Sequence, residues 1–276
     1  MNKKKILRWL KVIILIYCII GIALYYLQEK FLFHPEKLSS GYKYNFPANS
    51  AGKVLFEEVN IPFNDKDTVN MIKFFPADSM RRGVVLYFHG NRENINRYAK
   101  FAGNFTRHGY EVWMEDYPGF GKSTGERNEK KMYEQALQVQ KMAASRYGKD
   151  SIIIYGKSFG TGIAAYVASE SFNKRLILET PYYSIPSLFS CYAPIYPTDQ
   201  MSNYKIPTYK YLQDVKYPVS IFHGTKDGVI PYRNAARLKE GLKPGDEFIT
   251  IEKGTHQNLA GFALYKQKLD SLLNLR

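Results

Sequence analysis

The stretch Ser151-Ile152-Ile153-Ile154-Tyr155 runs straight into Gly156-Lys157-Ser158-Phe159-Gly160-Thr161-Gly162. A β-branched apolar run entering glycine-x-serine-x-glycine predicts a buried strand that reverses sharply into a helix, with the serine on the turn. The reason is steric. A residue at that turn must take an unfavourable backbone conformation, and glycines on either side let strand and helix pass closely. The hydroxyl of Ser158 is then held clear of the sheet. The helix expected over 159–169 aims its first amides and its positive end at the place where an oxyanion would form.

Around this unit the chain alternates short apolar runs with helical patterns. Residues 54–61 and 69–75 flank Asn64-Asp65-Lys66-Asp67 and read as an antiparallel hairpin. Runs at 83–88, 110–115, 151–155, 175–179, 218–222 and 247–252 suit buried parallel strands. Helical patterns fall at 95–107, 129–147, 159–169, 233–241 and 259–275. The fold class expected is α/β: a mostly parallel sheet with helices on both faces and its site beyond the carboxyl ends of the strands. One long connection, 180–216, carries Tyr182, Tyr183, Tyr192, Tyr196, Tyr204, Tyr209 and Tyr211 with several prolines, and reads as a small cap over the nucleophile.

The first residues differ from all of this. Lys3, Lys4, Lys5, Arg8 and Lys11 precede an apolar run over 12–27, with Trp9 at one end and Tyr25-Tyr26 at the other. That is the pattern of a single membrane span with a basic flank and aromatic ends. The run is slightly short, and Leu10, Trp9 and a snorkelling Lys11 extend it. A cleaved signal peptide competes, since Gly21-Ile22-Ala23 offers a small-x-small site, but Leu-Tyr-Tyr-Leu follows where a polar segment belongs. The expected division is therefore 1–11 as a basic cytoplasmic N-terminus, 12–27 as the anchor, 28–53 as a linker and 54–276 as the catalytic domain. The positive-inside rule puts that domain outside the cytoplasm, periplasmic in a bacterium.

Net charge is +14, and +9 remains after the five basic residues ahead of the span are removed. A basic domain tethered beside anionic headgroups would be drawn onto them. Nucleic acid is set aside because the Lys and Arg are scattered and no recognition motif accompanies them. Cys18 lies in the span and Cys191 stands alone, so the soluble part has no internal disulfide to form.

A serine hydroxyl needs a base to take its proton and a carboxylate to orient that base. Asp227 follows a strand in Val219-Ser220-Ile221-Phe222-His223-Gly224-Thr225-Lys226-Asp227, and His256 follows the last strand in Gly254-Thr255-His256. The chain order Ser158, Asp227, His256 is that of the α/β-hydrolases. His34 and His108 suit solvated roles, while His89 and His223, each in a His-Gly pair at a strand end, suit loop hydrogen bonds. Asp116 is the main rival carboxylate and Glu179 a weaker one. Oxyanion donors are expected from the backbone N–H groups of Asn91 and Phe159. No metal-ligand spacing or dinucleotide fingerprint is present, so no cofactor is expected.

Phe31-Leu32-Phe33-His34-Pro35, Tyr87-Phe88-His89-Gly90-Asn91, the run from Asp116 to Gly125, Gly156 to Gly160, Leu178-Glu179-Thr180-Pro181, His223 to Asp227 and Gly254-Thr255-His256 together resemble the membrane-anchored serine α/β-hydrolases related to depalmitoylating thioesterases and serine-aminopeptidase-like hydrolases. The resemblance implies an eight-stranded sheet, with Ser158 as nucleophile, Asp227 as acid and His256 as base. The activity expected is hydrolysis of a carboxylic ester or thioester, and the substrate expected is acyl or lipid-like because the anchor places an aromatic-lined site near a bilayer. A peptidase or amidase is the alternative within enzymes, and a non-catalytic membrane-bound scaffold the alternative outside them.

Overall fold

The computed structural model describes residues 3–47, 54–77 and 81–274. Eight strands form one sheet: β1 (Leu55–Pro62), β2 (Thr68–Phe75), β3 (Gly83–Phe88), β4 (Tyr110–Glu115), β5 (Ile152–Lys157), β6 (Arg175–Glu179), β7 (Val219–Gly224) and β8 (Glu247–Ile251). Their spatial order is β8-β7-β6-β5-β3-β4-β2-β1. β2 is antiparallel to both its neighbours, with Asn60 opposite Asn70 in the hairpin, and every other pair is parallel.

Strands β3, β4, β5 and β7 are buried at every position because both faces of the sheet are covered. Their side chains alternate between two cores. Val84, Leu86, Phe88, Ile152 and Ile154 pack on the side of the helices Glu129–Arg146 and Gly160–Glu170. Val85, Tyr87, Ile153 and Tyr155 pack on the side of the C-terminal helix Ala263–Asn274.

Two expected helices are broken. In place of one helix over 95–107 stand Ile95–Tyr98, a 3₁₀ turn Ala99–Phe101 and Gly103–Thr106. The glycine in its middle weakens α-helical continuation. The pattern over 233–241 is split into Tyr232–Ala236 and a 3₁₀ turn Arg237–Gly241. The last helix starts at Ala263 after a 3₁₀ turn at Leu259–Gly261, and its expected end at Leu275 lies outside the described residues.

The N-terminal helix is one continuous rod, Lys3–Leu32. It is long and apolar enough to cross a membrane. It extends past the expected boundary at 27, so the expected linker contributes its first five residues to this helix, while 48–53 of that linker lie outside the described residues. The cap is built of three short helices, Ile185–Ser190, Thr198–Met201 and Thr208–Asp214. Most of its tyrosines pack: Tyr182, Tyr196 and Tyr204 are buried, and Tyr183 stacks on Tyr209 with centroids 4.3 Å apart.

Candidate active site

Ser158 follows β5 with φ of 53°, in the left-handed region that non-glycine residues avoid. Its N–H donates to the Glu179 carbonyl at 2.9 Å, which ties the turn to β6. Glycine is required at 160 for a packing reason: a Cβ there would lie 2.1 Å from the Phe88 carbonyl oxygen. The nucleophile turn thus sits directly against the end of β3, beside the His89-Gly90-Asn91 loop.

The loops after β7 and β8 are joined by the Lys226 N–H donating to the Gly254 carbonyl at 2.8 Å. This brings two residues distant in sequence to Ser158. His256 Nε2 stands 2.8 Å from Ser158 Oγ, and His256 Nδ1 stands 2.8 Å from Asp227 Oδ2. A carboxylate can only accept here, so Nδ1 carries the proton and Nε2 is left to accept from the serine hydroxyl. The other Asp227 oxygen accepts the N–H groups of Val229 and Ile230, both at 2.8 Å. Burial works to raise the Asp227 pKa, but the bonds from His256 and these amides outweigh it and hold the carboxyl below its ordinary range. All three side chains are buried.

Asn91 and Phe159 flank the serine. Among the described residues neither N–H donates to another protein group, so both remain available to an anion. The Asn91 side chain is used differently: Nδ2 donates to the Leu32 carbonyl at the end of the N-terminal helix. Its own carbonyl accepts the His34 N–H at 2.9 Å, and His34–Pro35 pairs in parallel with Arg92–Glu93. Phe33, buried, meets Phe159 edge-on with centroids 5.0 Å apart, and the Arg127 guanidinium lies over the Phe33 ring, 4.5 Å from its centroid. The Phe31-to-Pro35 motif therefore clamps both expected oxyanion residues, a role that only tertiary contact reveals.

The rival carboxylates do other work. Asp116 pairs with His89 at 3.1 Å, both side chains fully buried. Glu179 pairs with Lys157, and the hydroxyls of Tyr155 and Tyr265 donate to it as well. Burial would raise the Glu179 pKa, but Lys157 and the two tyrosines bring it below the ordinary value. The sequence signal for this pair was a lysine closing one apolar strand and a glutamate closing the next. His223 donates to the Ile230 carbonyl at 3.0 Å and supports the Asp227 loop. His34 is exposed, whereas His108 is held against Asp270 at 2.9 Å rather than solvated. Among the described residues no group of three His, Cys, Asp or Glu is placed to hold a metal ion.

A cavity of about 530 Å³ opens beside this site. Its walls include Asn91, Val229, Leu188 and Tyr196, together with Leu24 and Phe31 of the N-terminal helix.

Residues 79–211 match the family model described as "Serine aminopeptidase, S33". An esterase from Pyrococcus furiosus superposes with a TM-score of 0.67 over 88% of this chain and 96% of its own, at 17% identity. The chain has the α/β-hydrolase fold. A monoglyceride lipase from Saccharomyces cerevisiae shares the same hydrolase fold, with a TM-score of 0.63 at 17% identity over 83% of this chain and 98% of that one. In sequence, the chain is 29% identical over 70% of its length to "Alpha/beta hydrolase domain-containing protein 17C" of Xenopus tropicalis, and 27% identical to the Homo sapiens protein of that name. The match spans 62% and 58% of the length of those two relatives.

Proposed function

We propose that this chain is a serine hydrolase, held at a membrane by its N-terminal helix, that cleaves carboxylic esters or thioesters of acyl or lipid-like substrates through an acyl-serine. The observation that carries the reading is the line Ser158 Oγ, His256, Asp227 with both links at 2.8 Å. In the reaction, His256 Nε2 takes the proton of Ser158 Oγ as that oxygen attacks the carbonyl carbon. Asp227 steadies the imidazolium that forms, and the N–H groups of Asn91 and Phe159 donate to the developing oxyanion. The C–O or C–S bond then breaks and His256 returns the proton to the departing alcohol or thiol. Water repeats the sequence in reverse and releases the acid.

An aminopeptidase, the description of the matching family model, would need a carboxylate to pair with the substrate amine. The cavity wall carries no Asp or Glu among the described residues, which favours the acyl reading. The basic flank and the 30-residue apolar helix support the membrane assignment. The test is fluorophosphonate labelling and p-nitrophenyl ester hydrolysis by the full chain in detergent. Ser158→Ala is expected to abolish labelling and lower turnover roughly 10⁴–10⁶-fold. Turnover by that variant near the native rate would remove the assignment.

A further inference from the structure

The N-terminal helix does more than leave the domain. Tyr17, Gly21, Leu24, Gln28 and Leu32 are spaced three or four apart and lie along one stripe of it. That stripe faces the cap. Tyr17 stacks on Tyr196 with centroids 4.6 Å apart and planes 5° from parallel. Gly21 leaves room for the same ring, since a Cβ there would stand 3.1 Å from it. Gln28 donates to the Met201 carbonyl at 3.1 Å and accepts the Asn203 N–H at 2.7 Å. Elsewhere the helix exposes Ile13, Ile14, Ile20, Ile22 and Tyr26.

Between helix and cap lies the cavity of about 530 Å³, within the ~300–1,000 Å³ typical of small-ligand sites. Leu24 and Phe31 form one wall, Leu188 and Met201 the other, and its inner end meets Asn91 and Val229. Those last two tie it to the chemistry: Asn91 is an oxyanion candidate, and the Val229 N–H bonds Asp227. Leu24 belongs to the apolar run itself. At the cap tip, beside the same run, Ile195 is 70% exposed while its carbonyl accepts the Tyr17 hydroxyl at 3.2 Å.

We propose that the last two turns of the N-terminal helix are part of the substrate site: with the cap they enclose one long hydrocarbon chain of an ester or thioester resident in the same bilayer, which enters along the helix. This rests on the serine-hydrolase reading. The occupant is a hydrocarbon chain because the wall is apolar and starts within the span, so an acyl tail passes from lipid to cavity without crossing water. The reacting carbonyl lies at the inner end, between Ser158 and the Asn91 and Phe159 amides.

The test uses the full chain in liposomes and compares Ser158 labelling rates by dodecyl and ethyl fluorophosphonates. Each buried methylene is worth about fourfold in binding, so the dodecyl probe is expected to react at least ~100-fold faster. Leu24→Trp, and Leu188→Trp on the opposite wall as a second variant, are expected to cut that ratio by about tenfold or more, the loss of two or so buried methylenes. Ile13→Trp, on an exposed face of the same helix, controls for probe partition into lipid and is expected to leave the ratio as in the native chain. A native ratio near one, or tryptophan variants matching the Ile13→Trp control, would overturn the proposal while leaving the hydrolase intact. A native chain that neither probe labels would overturn the serine-hydrolase reading, and this one with it.

Discussion

Two buried histidine–carboxylate pairs stand at the carboxyl edge of the sheet, and they differ in what the second ring nitrogen meets. His256 gives Nδ1 to Asp227 and turns Nε2 to Ser158 Oγ. His89 faces Asp116 with Nε2 and the Gly90 carbonyl, at 2.6 Å, with Nδ1. It is further held between the rings of Tyr98 and Tyr117. The first pair leaves one nitrogen facing a serine hydroxyl, whereas the second spends both on a carboxylate and the loop after β3. The carboxyls also move in opposite directions. Burial raises Asp116 and His89 only partly offsets it, whereas the bonds to Asp227 outweigh burial and lower it. A buried His–Asp contact is therefore no signature of catalysis until the far nitrogen faces a nucleophile.

This contrast can be broken by substitution. The largest effect is expected from His256→Ala: turnover per folded molecule falling roughly 10⁴–10⁶-fold, read by steady-state kinetics. Asp227→Asn is expected to cost about 10⁴-fold, because an amide can present its N–H to Nδ1 and favour the wrong tautomer. If Asp227→Asn kept native turnover, the two pairs would not differ in the way described.

His89→Ala should act on the other axis. It leaves Asp116 buried without its partner, a change expected to cost about 3–5 kcal/mol of stability. Activity per folded molecule is expected to fall by at most about 10²-fold as the Gly90-Asn91 loop loosens. Denaturant unfolding together with active-site titration separates the two quantities.

The smallest effect concerns pH. Glu115, beside Asp116, is fully buried with neither oxygen hydrogen-bonded among the described residues, and burial followed by the Asp116 charge pushes it up to about 8. The folded chain then keeps this proton where the unfolded chain, ionising near 4.5, has lost it. Stability from this group is complete below about 4.5 and declines as pH rises toward 8. Asp227 has the opposite sign: its contribution is present above its ordinary value of 3.8 and is lost as pH falls through its lowered pKa. Glu115→Gln is expected to flatten the fall in melting temperature between pH 5 and 8, a window inside the Glu115 shift, and an unchanged slope would show that Glu115 ionises normally.

How much was legible in the sequence follows from range. The Ile152-to-Gly162 unit was readable because strand, turn and helix are contiguous and the turn's steric demands name its glycines. Asp227 and His256 were readable by their place after successive strands. The expected helix over 95–107 was not, because the periodicity of its apolar residues says nothing about how Gly103 and the packing against β4 divide it. Nor could the Phe31-to-Pro35 motif be given a task, although it stood out in the sequence.

The sequence alone determined the sheet, its two faces and the nucleophile turn, since these depend on alternation, β-branching and glycine sterics within a few residues. Tertiary structure decided which histidine meets which carboxylate, that Asn91 ties the N-terminal helix to the loop after β3, and that helix and cap share a cavity. Those outcomes rest on contacts between residues from 27 to 179 positions apart. Only the folded chain brings such groups together, because local preferences fix directions within an element and not the partners it meets.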